Sequence, residues 1–124
     1  MCTKIKVVLA DDHLLVMEGF RDLLSKAPNI EVVGEAADGE QAVFLASNRK
    51  PDVVVMDINM PGMDGYETVI WLKRNYPQVP VLVVSMIEKE EAIVRMLKLG
   101  VKGYLSKDVE PAELKQAMEA ILKK

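Results

Sequence analysis

The chain has 124 residues, half of them hydrophobic and 28% charged, which indicates one globular domain covering residues 1–124. Its formal net charge of −3 argues against direct nucleic-acid binding, which normally uses a basic surface. Its single cysteine, Cys2, cannot form an internal disulfide, and no stretch resembles a signal core or reaches membrane-spanning length, so we expect a soluble cytoplasmic protein without membrane contact.

Strands and helices are predicted to alternate along the whole chain. Short apolar runs rich in β-branched residues indicate five strands, at Ile5–Ala10, Ile30–Glu35, Val53–Met56, Pro80–Val84 and Gly103–Ser106. Apolar residues at helical spacing predict a helix after each strand, and the first carries Leu15, Val16, Phe20, Leu23 and Leu24 before Pro28 and Asn29 close it. The later helices are expected to begin at Asp38-Gly39, after a cap at Asp64, at about Lys89 (with Gly100 behind it) and at Pro111.

Five β/α units with short connections predict an α/β fold, a parallel sheet with helices on both faces. Ligands in such folds bind outside the carboxyl ends of the strands. Polar residues follow four of the five strands at this position, whereas the second strand, the predicted edge, has none. They are Asp11-Asp12, Asp57, Ser85 and Lys107.

Three carboxylates in one crevice require a shared proton or a cation, because unit charges ~4 Å apart repel by about 4 kcal/mol at a dielectric near 20. Oxygen ligands without histidine or cysteine favour a hard cation such as Mg²⁺. His13 follows the acidic pair where a helix begins, and we expect an ordinary helix-start residue there, with a metal ligand as the less favoured alternative. An aspartate beside Mg²⁺ can attack a phosphoryl donor, with Lys107 and Ser85 contacting the phosphoryl oxygens.

These positions, together with Asp57-Ile58-Asn59-Met60-Pro61-Gly62-Met63-Asp64-Gly65, resemble a response-regulator receiver domain of two-component signalling. The segments around Asp11, Ser85 and Lys107 are most similar to the NarL/FixJ subfamily. The resemblance covers the whole chain and implies a (βα)5 doubly wound, flavodoxin-like sheet of order 2-1-3-4-5.

The resemblance also implies roles for individual residues. Asp57 would accept a phosphoryl group from a histidine kinase or phosphotransfer protein. Mg²⁺, or Mn²⁺ in its place, would bind Asp12 directly, Asp11 mainly through water, Asp57 and the backbone carbonyl of Asn59. Ser85 and Tyr104 would form the switch pair, in which the hydroxyl moves to the phosphoryl group and the ring turns inward.

Three positions depart from the family pattern, and one of them, Met86 in place of a small residue after Ser85, is tolerated in the subfamily. Many receivers have proline after the lysine, in a cis peptide bond, whereas Asp108 follows Lys107 here. A cis bond without proline costs about 2.5–4 kcal/mol, so the geometry of this bond stays open. Ile87 replaces a polar residue that in some relatives orients a hydrolytic water, and we therefore expect slow loss of the phosphoryl group.

Two other functions compete with a phosphorylated receiver. A haloacid-dehalogenase-like phosphatase also uses a strand-end aspartate, but it needs a second acid where this chain has Asn59, so we expect no turnover enzyme. A degenerate receiver could instead act as an interaction module that accepts no phosphate. Phosphorylation should reshape the surface from Glu88 to Lys124, which could then form a homodimer or release an output domain. Subfamily analogy favours a DNA-binding helix-turn-helix beyond Lys124 and hence transcription regulation.

Overall fold

The computed structural model describes residues 5–58, 65–86, 89–106 and 111–122. The strands are β1 (Ile5–Ala10), β2 (Ile30–Ala36), β3 (Val53–Met56), β4 (Val81–Ser85) and β5 (Gly103–Ser106). The helices are α1 (Leu14–Ser25), α2 (Gly39–Arg49), α3 (Gly65–Asn75), α4 (Glu90–Leu99) and α5 (Pro111–Leu122). Within the described ranges the five strands form one parallel sheet in the order β2-β1-β3-β4-β5. The predicted α/β class, strand order and edge position of the second strand are confirmed.

The central strands β1, β3 and β4 are apolar on both faces where they are buried, as is typical of parallel strands in a covered sheet. Along each central strand, alternate residues point to opposite sides of the sheet and enter two separate cores. One core contains Val8, Val54 and Val83 and packs on α2, α3 and α4. The other contains Val7, Val55 and Val84 and packs on α1 and α5. The sheet is therefore covered on both faces, which leaves the carboxyl edge of the strands as the place for polar chemistry.

Several predicted helix boundaries follow from identifiable local contacts. Asp38 caps α2, because its side chain accepts a hydrogen bond from the Gln41 backbone N–H at 2.8 Å. The Gln41 side chain in turn accepts one from the Ala37 N–H at 2.8 Å. Gly100 ends α4 with a left-handed φ of 105°, and α5 begins at Pro111, both as expected. The predicted cap at Asp64 lies outside the described residues.

Other predictions were inexact. Strand β2 extends one residue further than predicted, to Ala36, and α1 ends at Ser25, before the proline expected to stop it. Leu15, included in the apolar stripe of α1, is 84% exposed, whereas Met17 is buried in the core. The helix is rotated so that its first turn presents an apolar side chain to solvent near the carboxyl edge of the sheet. Within the described part of the chain, every helix is too short or too polar to cross a membrane.

Candidate functional site

The backbone of the sheet holds two of the predicted acids in place. The Asp11 N–H donates to the Ala36 carbonyl and the Asp57 N–H to the Ala10 carbonyl, both at 2.9 Å. These bonds continue the ladder one residue beyond β1 and β3. The side chains are buried, since Asp11 is 6% and Asp57 2% exposed. Both carboxylates therefore start from backbone positions that are fixed by the sheet.

Four side chains meet at this carboxyl edge. Asp11, Asp12, His13 and Asp57 each offer one ligand atom, and these atoms all lie within 4.8 Å of one another. The two outer members, Asp12 and His13, are exposed. Three carboxylates so close together favour a bound cation, and an oxygen-rich donor set suits Mg²⁺ or Mn²⁺. The residues present therefore fit the divalent cation implied by the sequence.

The His13 side chain lies against the acids, which the less favoured of its two predicted roles requires. His13 is the N-cap residue of α1, as expected for a helix-start residue, but its side chain makes no capping hydrogen bond. Its backbone N–H donates to Asp11 Oδ1 at 2.9 Å, and its ring Nδ1 lies 3.0 Å from the same oxygen. Nδ1 is also 3.4 Å from Asp12 Oδ1. The signal available in the sequence was the adjacency of His13 to the acidic pair.

The predicted switch pair lies on β4, which is next to β3 and Asp57, and on β5, the strand beyond it. Ser85 is fully buried at the end of β4, and Tyr104 on β5 is half-buried. In the strand register Tyr104 is opposite Val83, and Ser106 is opposite Ser85. Since side chains two residues apart share a face of a strand, Ser85, Tyr104 and Val83 face the same side of the sheet. Tyr104 packs against the core that contains Met56, immediately before Asp57.

The start of α3 packs against Ile58, the residue after Asp57. The Gly65 N–H, at the start of α3, donates to the Ile58 carbonyl at 2.9 Å. A Cβ at Gly65 would contact the Ile58 backbone, standing 2.5 Å from its oxygen and 2.8 Å from its carbonyl carbon. Only glycine allows this approach without displacing the backbone. The start of α3 therefore supports the residue that follows the predicted phosphoacceptor.

Several predicted site residues lie outside the described ranges. They are the Asn59 carbonyl, Ile87 and Lys107 with its bond to Asp108. The structure brings together Asp11, Asp12 and Asp57, and it buries Ser85 at the same edge of the sheet. The predicted contacts of Lys107 and Asn59 stay predictions.

Three basic residues lie away from the acids and have electrostatic contacts of their own. Burial lowers the pKa of Lys73 from its ordinary value, and the nearby Lys102 lowers this pKa further. The Lys102 N–H donates to the Val81 carbonyl, so this pair lies at the amino ends of β4 and β5, opposite the acids. Separately, the Arg95 guanidinium of α4 lies 3.8 Å above the ring centroid of Tyr66 on α3. The Arg95 contact links the helices that flank the predicted switch.

Comparison with known proteins agrees with this architecture. The sequence model of the response regulator receiver domain family matches residues 7–119. The chain belongs to this family. The receiver is 44% identical over 112 residues to the nitrate/nitrite response regulator protein NarL of Escherichia coli K12, covering 90% of this chain and 52% of that protein. It is 42% identical over 118 residues to the transcriptional regulatory protein DegU of Brevibacillus brevis, covering 95% and 50% respectively.

Among solved structures, the receiver superposes on a chain of the CheX–CheY–BeF₃–Mg²⁺ complex from Borrelia burgdorferi with a TM-score of 0.92. The sequence identity is 25%, and the match covers 98% of this chain and 92% of that one. The predicted membership in the response regulator family is confirmed, with NarL-type transcription regulators among its relatives. The chain spans about half the length of the curated relatives it matches.

Proposed function

We propose that this receiver accepts a phosphoryl group on Asp57 from a phosphohistidine of a kinase or phosphotransfer protein, and that the phosphorylated form regulates transcription. The observation that carries this proposal is a buried strand-end carboxylate, 2% exposed, in one group with two further acids. A solvated surface aspartate would need neither the burial nor the neighbouring acids. A carboxylate that receives a charged group, however, needs both a fixed position and a site for a counter-cation.

Asp11, Asp12 and Asp57 would hold a divalent cation, Mg²⁺ or Mn²⁺, with the Asn59 carbonyl as a further expected ligand. When bound, the cation neutralises charge on the acids and on the phosphoryl oxygens. The buried and backbone-bonded Asp11 and Asp57 supply a rigid base for this site. The exposed Asp12 supplies an adjustable ligand on the solvent side. The Borrelia burgdorferi complex, which contains BeF₃ and Mg²⁺, supports this choice of ion.

In the proposed transfer a carboxylate oxygen of Asp57 attacks the phosphorus atom of the donor. The new P–O bond forms as the P–N bond to the partner's imidazole breaks, and the electron pair of that bond stays on the imidazole nitrogen. A carboxylate is already deprotonated, so the step requires no general base. Lys107 is expected to offset the charge gained by the phosphoryl oxygens. The chain acts as a phosphoacceptor that assists its own modification and is not a conventional turnover enzyme.

The phosphoryl group would act as a signal through Ser85 and Tyr104. It adds about −1.5 to −2 charges and several strong acceptors beside the end of β4. The buried Ser85 hydroxyl is a donor at that strand end, and Tyr104 faces the same side of the adjacent β5. A shift from 1:99 to 99:1 between two states requires about 5.5 kcal/mol of differential stabilisation. Charge-assisted hydrogen bonds of ~1.5–3 kcal/mol each, from Ser85 and Lys107, would supply much of this.

The surface that responds consists of α4, β5 and α5, which follow Ser85 in the chain and include Tyr104. Its proposed outcomes are homodimerisation or release of a covalently linked DNA-binding domain. The transcription regulators that this receiver resembles are about twice its length, which supports a linked output domain. The acidic receiver itself has net charge −3 and is expected to leave DNA contact to that domain.

The proposal is tested by incubating the protein with acetyl phosphate and Mg²⁺ and measuring its intact mass. We expect one phosphoryl adduct that persists after the donor is removed and that Asp57→Asn abolishes. The matched control is Asp52→Asn, which replaces an exposed acid at the amino end of β3, away from the site. Steady release of phosphate would indicate a phosphatase, and no adduct in the folded protein would indicate a phosphorylation-independent interaction module.

The lifetime of the adduct tests the prediction made from Ile87. An apolar residue at this position offers no hydrogen bond to orient an attacking water, so the adduct should decay slowly. Substitution Ile87→Asn should shorten the lifetime. A wild-type half-life of seconds would contradict the prediction.

A further inference from the structure

We propose that His13 is a ligand of the divalent cation through Nδ1, and that it shifts the preference of the site towards cations that accept nitrogen. This inference rests on the cation site of the proposed function. An all-oxygen site suits Mg²⁺, whereas imidazole suits later first-row metals, whose affinities rise from Mn²⁺ to Ni²⁺. His13 would therefore raise the affinity for Mn²⁺ and Ni²⁺ relative to Mg²⁺.

The local fold directs the imidazole towards the acids. At the N-cap of α1, His13 has extended backbone angles, φ −90° and ψ 105°. Its own N–H is bonded to Asp11 Oδ1 at 2.9 Å, which turns the residue back over the carboxylate. The ring does not cap the helix, although a residue at this position commonly does. Instead Nδ1 belongs to the same group of ligand atoms as the three acids.

The spacing of these atoms matches that of neighbouring ligands around a metal. With metal–ligand bonds of ~2.1 Å, adjacent vertices of an octahedron lie about 3.0 Å apart and opposite vertices about 4.2 Å apart. Nδ1 lies 3.0 Å from Asp11 Oδ1 and 3.4 Å from Asp12 Oδ1, close to the adjacent spacing. The whole group fits within 4.8 Å, which is near the spacing of opposite vertices, so its members must draw together to bind one ion.

The members that would move are the two that are exposed to solvent. The side chains of Asp12 and His13 are 37% and 56% exposed, whereas that of Asp11 is 5% exposed. Rotation of the two exposed side chains can close the group around an ion while Asp11 and Asp57 stay on the sheet. A buried ring packed against the core would lack this freedom.

The 3.0 Å distance between His13 Nδ1 and Asp11 Oδ1 also fits a hydrogen bond. If Nδ1 carries the proton, it donates a hydrogen bond to Asp11 and cannot bind a metal. In the proposed arrangement the proton is on Nε2, and Nδ1 directs its lone pair at the cation. The two arrangements differ in whether nitrogen is bonded to the metal, which spectroscopy detects directly.

A nitrogen signal from a bound metal can be assigned without ambiguity, because His13 is the only histidine in the chain. In an untagged protein, an imidazole nitrogen coupled to Mn²⁺ in pulsed electron paramagnetic resonance must belong to His13. The comparison variant is His13→Ser, because serine is a favoured N-cap residue and should preserve α1. Both proteins carry Cys2→Ser, so that the single thiol does not compete for metal.

We expect a nitrogen modulation of the Mn²⁺ signal that is lost in His13→Ser. The ratio of Ni²⁺ to Mg²⁺ affinity, measured by calorimetric titration, should fall by about tenfold or more. Mutation of a residue in the shell around a bound metal commonly lowers metal affinity by such a factor. Metal binding without a histidine-dependent nitrogen signal and with an unchanged ratio would overturn the inference while leaving the proposed function intact. Failure of both folded proteins to bind any of these ions would overturn the cation site and the inference together.

Discussion

Substitution Gly65→Ala tests how the start of α3 supports the phosphoacceptor. The added methyl would stand 2.5 Å from the Ile58 oxygen, where an ordinary contact begins at 3.4 Å, so the two must separate by about 0.9 Å. Its other close contacts are also with the Ile58 backbone and not with the end of a flexible side chain. Because Ile58 directly follows Asp57, any adjustment of this backbone moves the carboxylate.

Two effects should follow from this displacement. Overpacking of a tight site typically costs about 1–3 kcal/mol, so the free energy of unfolding should fall by that amount. A misplacement of ~1 Å at a reacting group can slow a reaction about 100-fold, so the rate of phosphorylation of the folded protein should fall by up to that factor. Urea denaturation measures the first effect, and the initial rate of adduct formation with acetyl phosphate measures the second.

Gly19→Ala is the matched control. It is the same substitution in the middle of α1, where an added Cβ meets nothing within 4 Å. Replacing an exposed helical glycine should stabilise the protein by about 0.5–1 kcal/mol and leave the phosphorylation rate unchanged. If Gly65→Ala were as stable as wild type and were phosphorylated at the wild-type rate, the close approach of α3 would not position Asp57.

Three further predictions concern elements away from the acids. Asp38→Ala should lower the free energy of unfolding by about 0.5–2 kcal/mol in urea, because α2 loses its cap, and an unchanged midpoint would contradict this. Replacing Lys73 by Met should stabilise the protein at neutral pH, because the charged form of Lys73 is disfavoured on folding by burial and by Lys102. The difference in free energy of unfolding between that variant and wild type should shrink as the pH rises from the lowered pKa of Lys73 towards 10.5, because Lys73 then loses its charge. A difference that does not change with pH would show that the charge of Lys73 is not its source. A double-mutant cycle on Arg95 and Tyr66 should give a coupling of about 0.5–1 kcal/mol, whereas zero coupling would exclude a stabilising cation–π contact.

The sequence predicted the sheet well because its strands carry an unambiguous signal. Val53–Met56 is apolar at every position, which for so short a run is typical of a strand buried on both faces. Helix rotation was less accessible, since it depends on packing against the sheet. Leu15 and Met17 are both apolar and both near the start of α1, yet one is 84% exposed and the other 6%. Periodicity alone does not decide which of two such residues faces the core.

The candidate site shows the same division between what sequence pattern can and cannot predict. Strand ends placed Asp11 and Asp57 at one edge, because in a parallel sheet all carboxyl ends lie together. The position of His13 depends on the turn between β1 and α1, where its backbone N–H and its ring Nδ1 both lie against Asp11 Oδ1. Helical spacing carries no information about such a turn. For this reason the sequence favoured three carboxylates and left the nitrogen beside them as the less favoured alternative.

The most direct test of phosphorylation at Asp57 is to locate the phosphoryl group chemically. Borohydride reduces an aspartyl phosphate to homoserine, and peptide mass spectrometry then identifies the modified residue. After phosphorylation with Mg²⁺ present, we expect homoserine at position 57 and at no other aspartate. Reduction at Asp11 or Asp12, or recovery of Asp57 unmodified from a protein that carries the adduct, would contradict it.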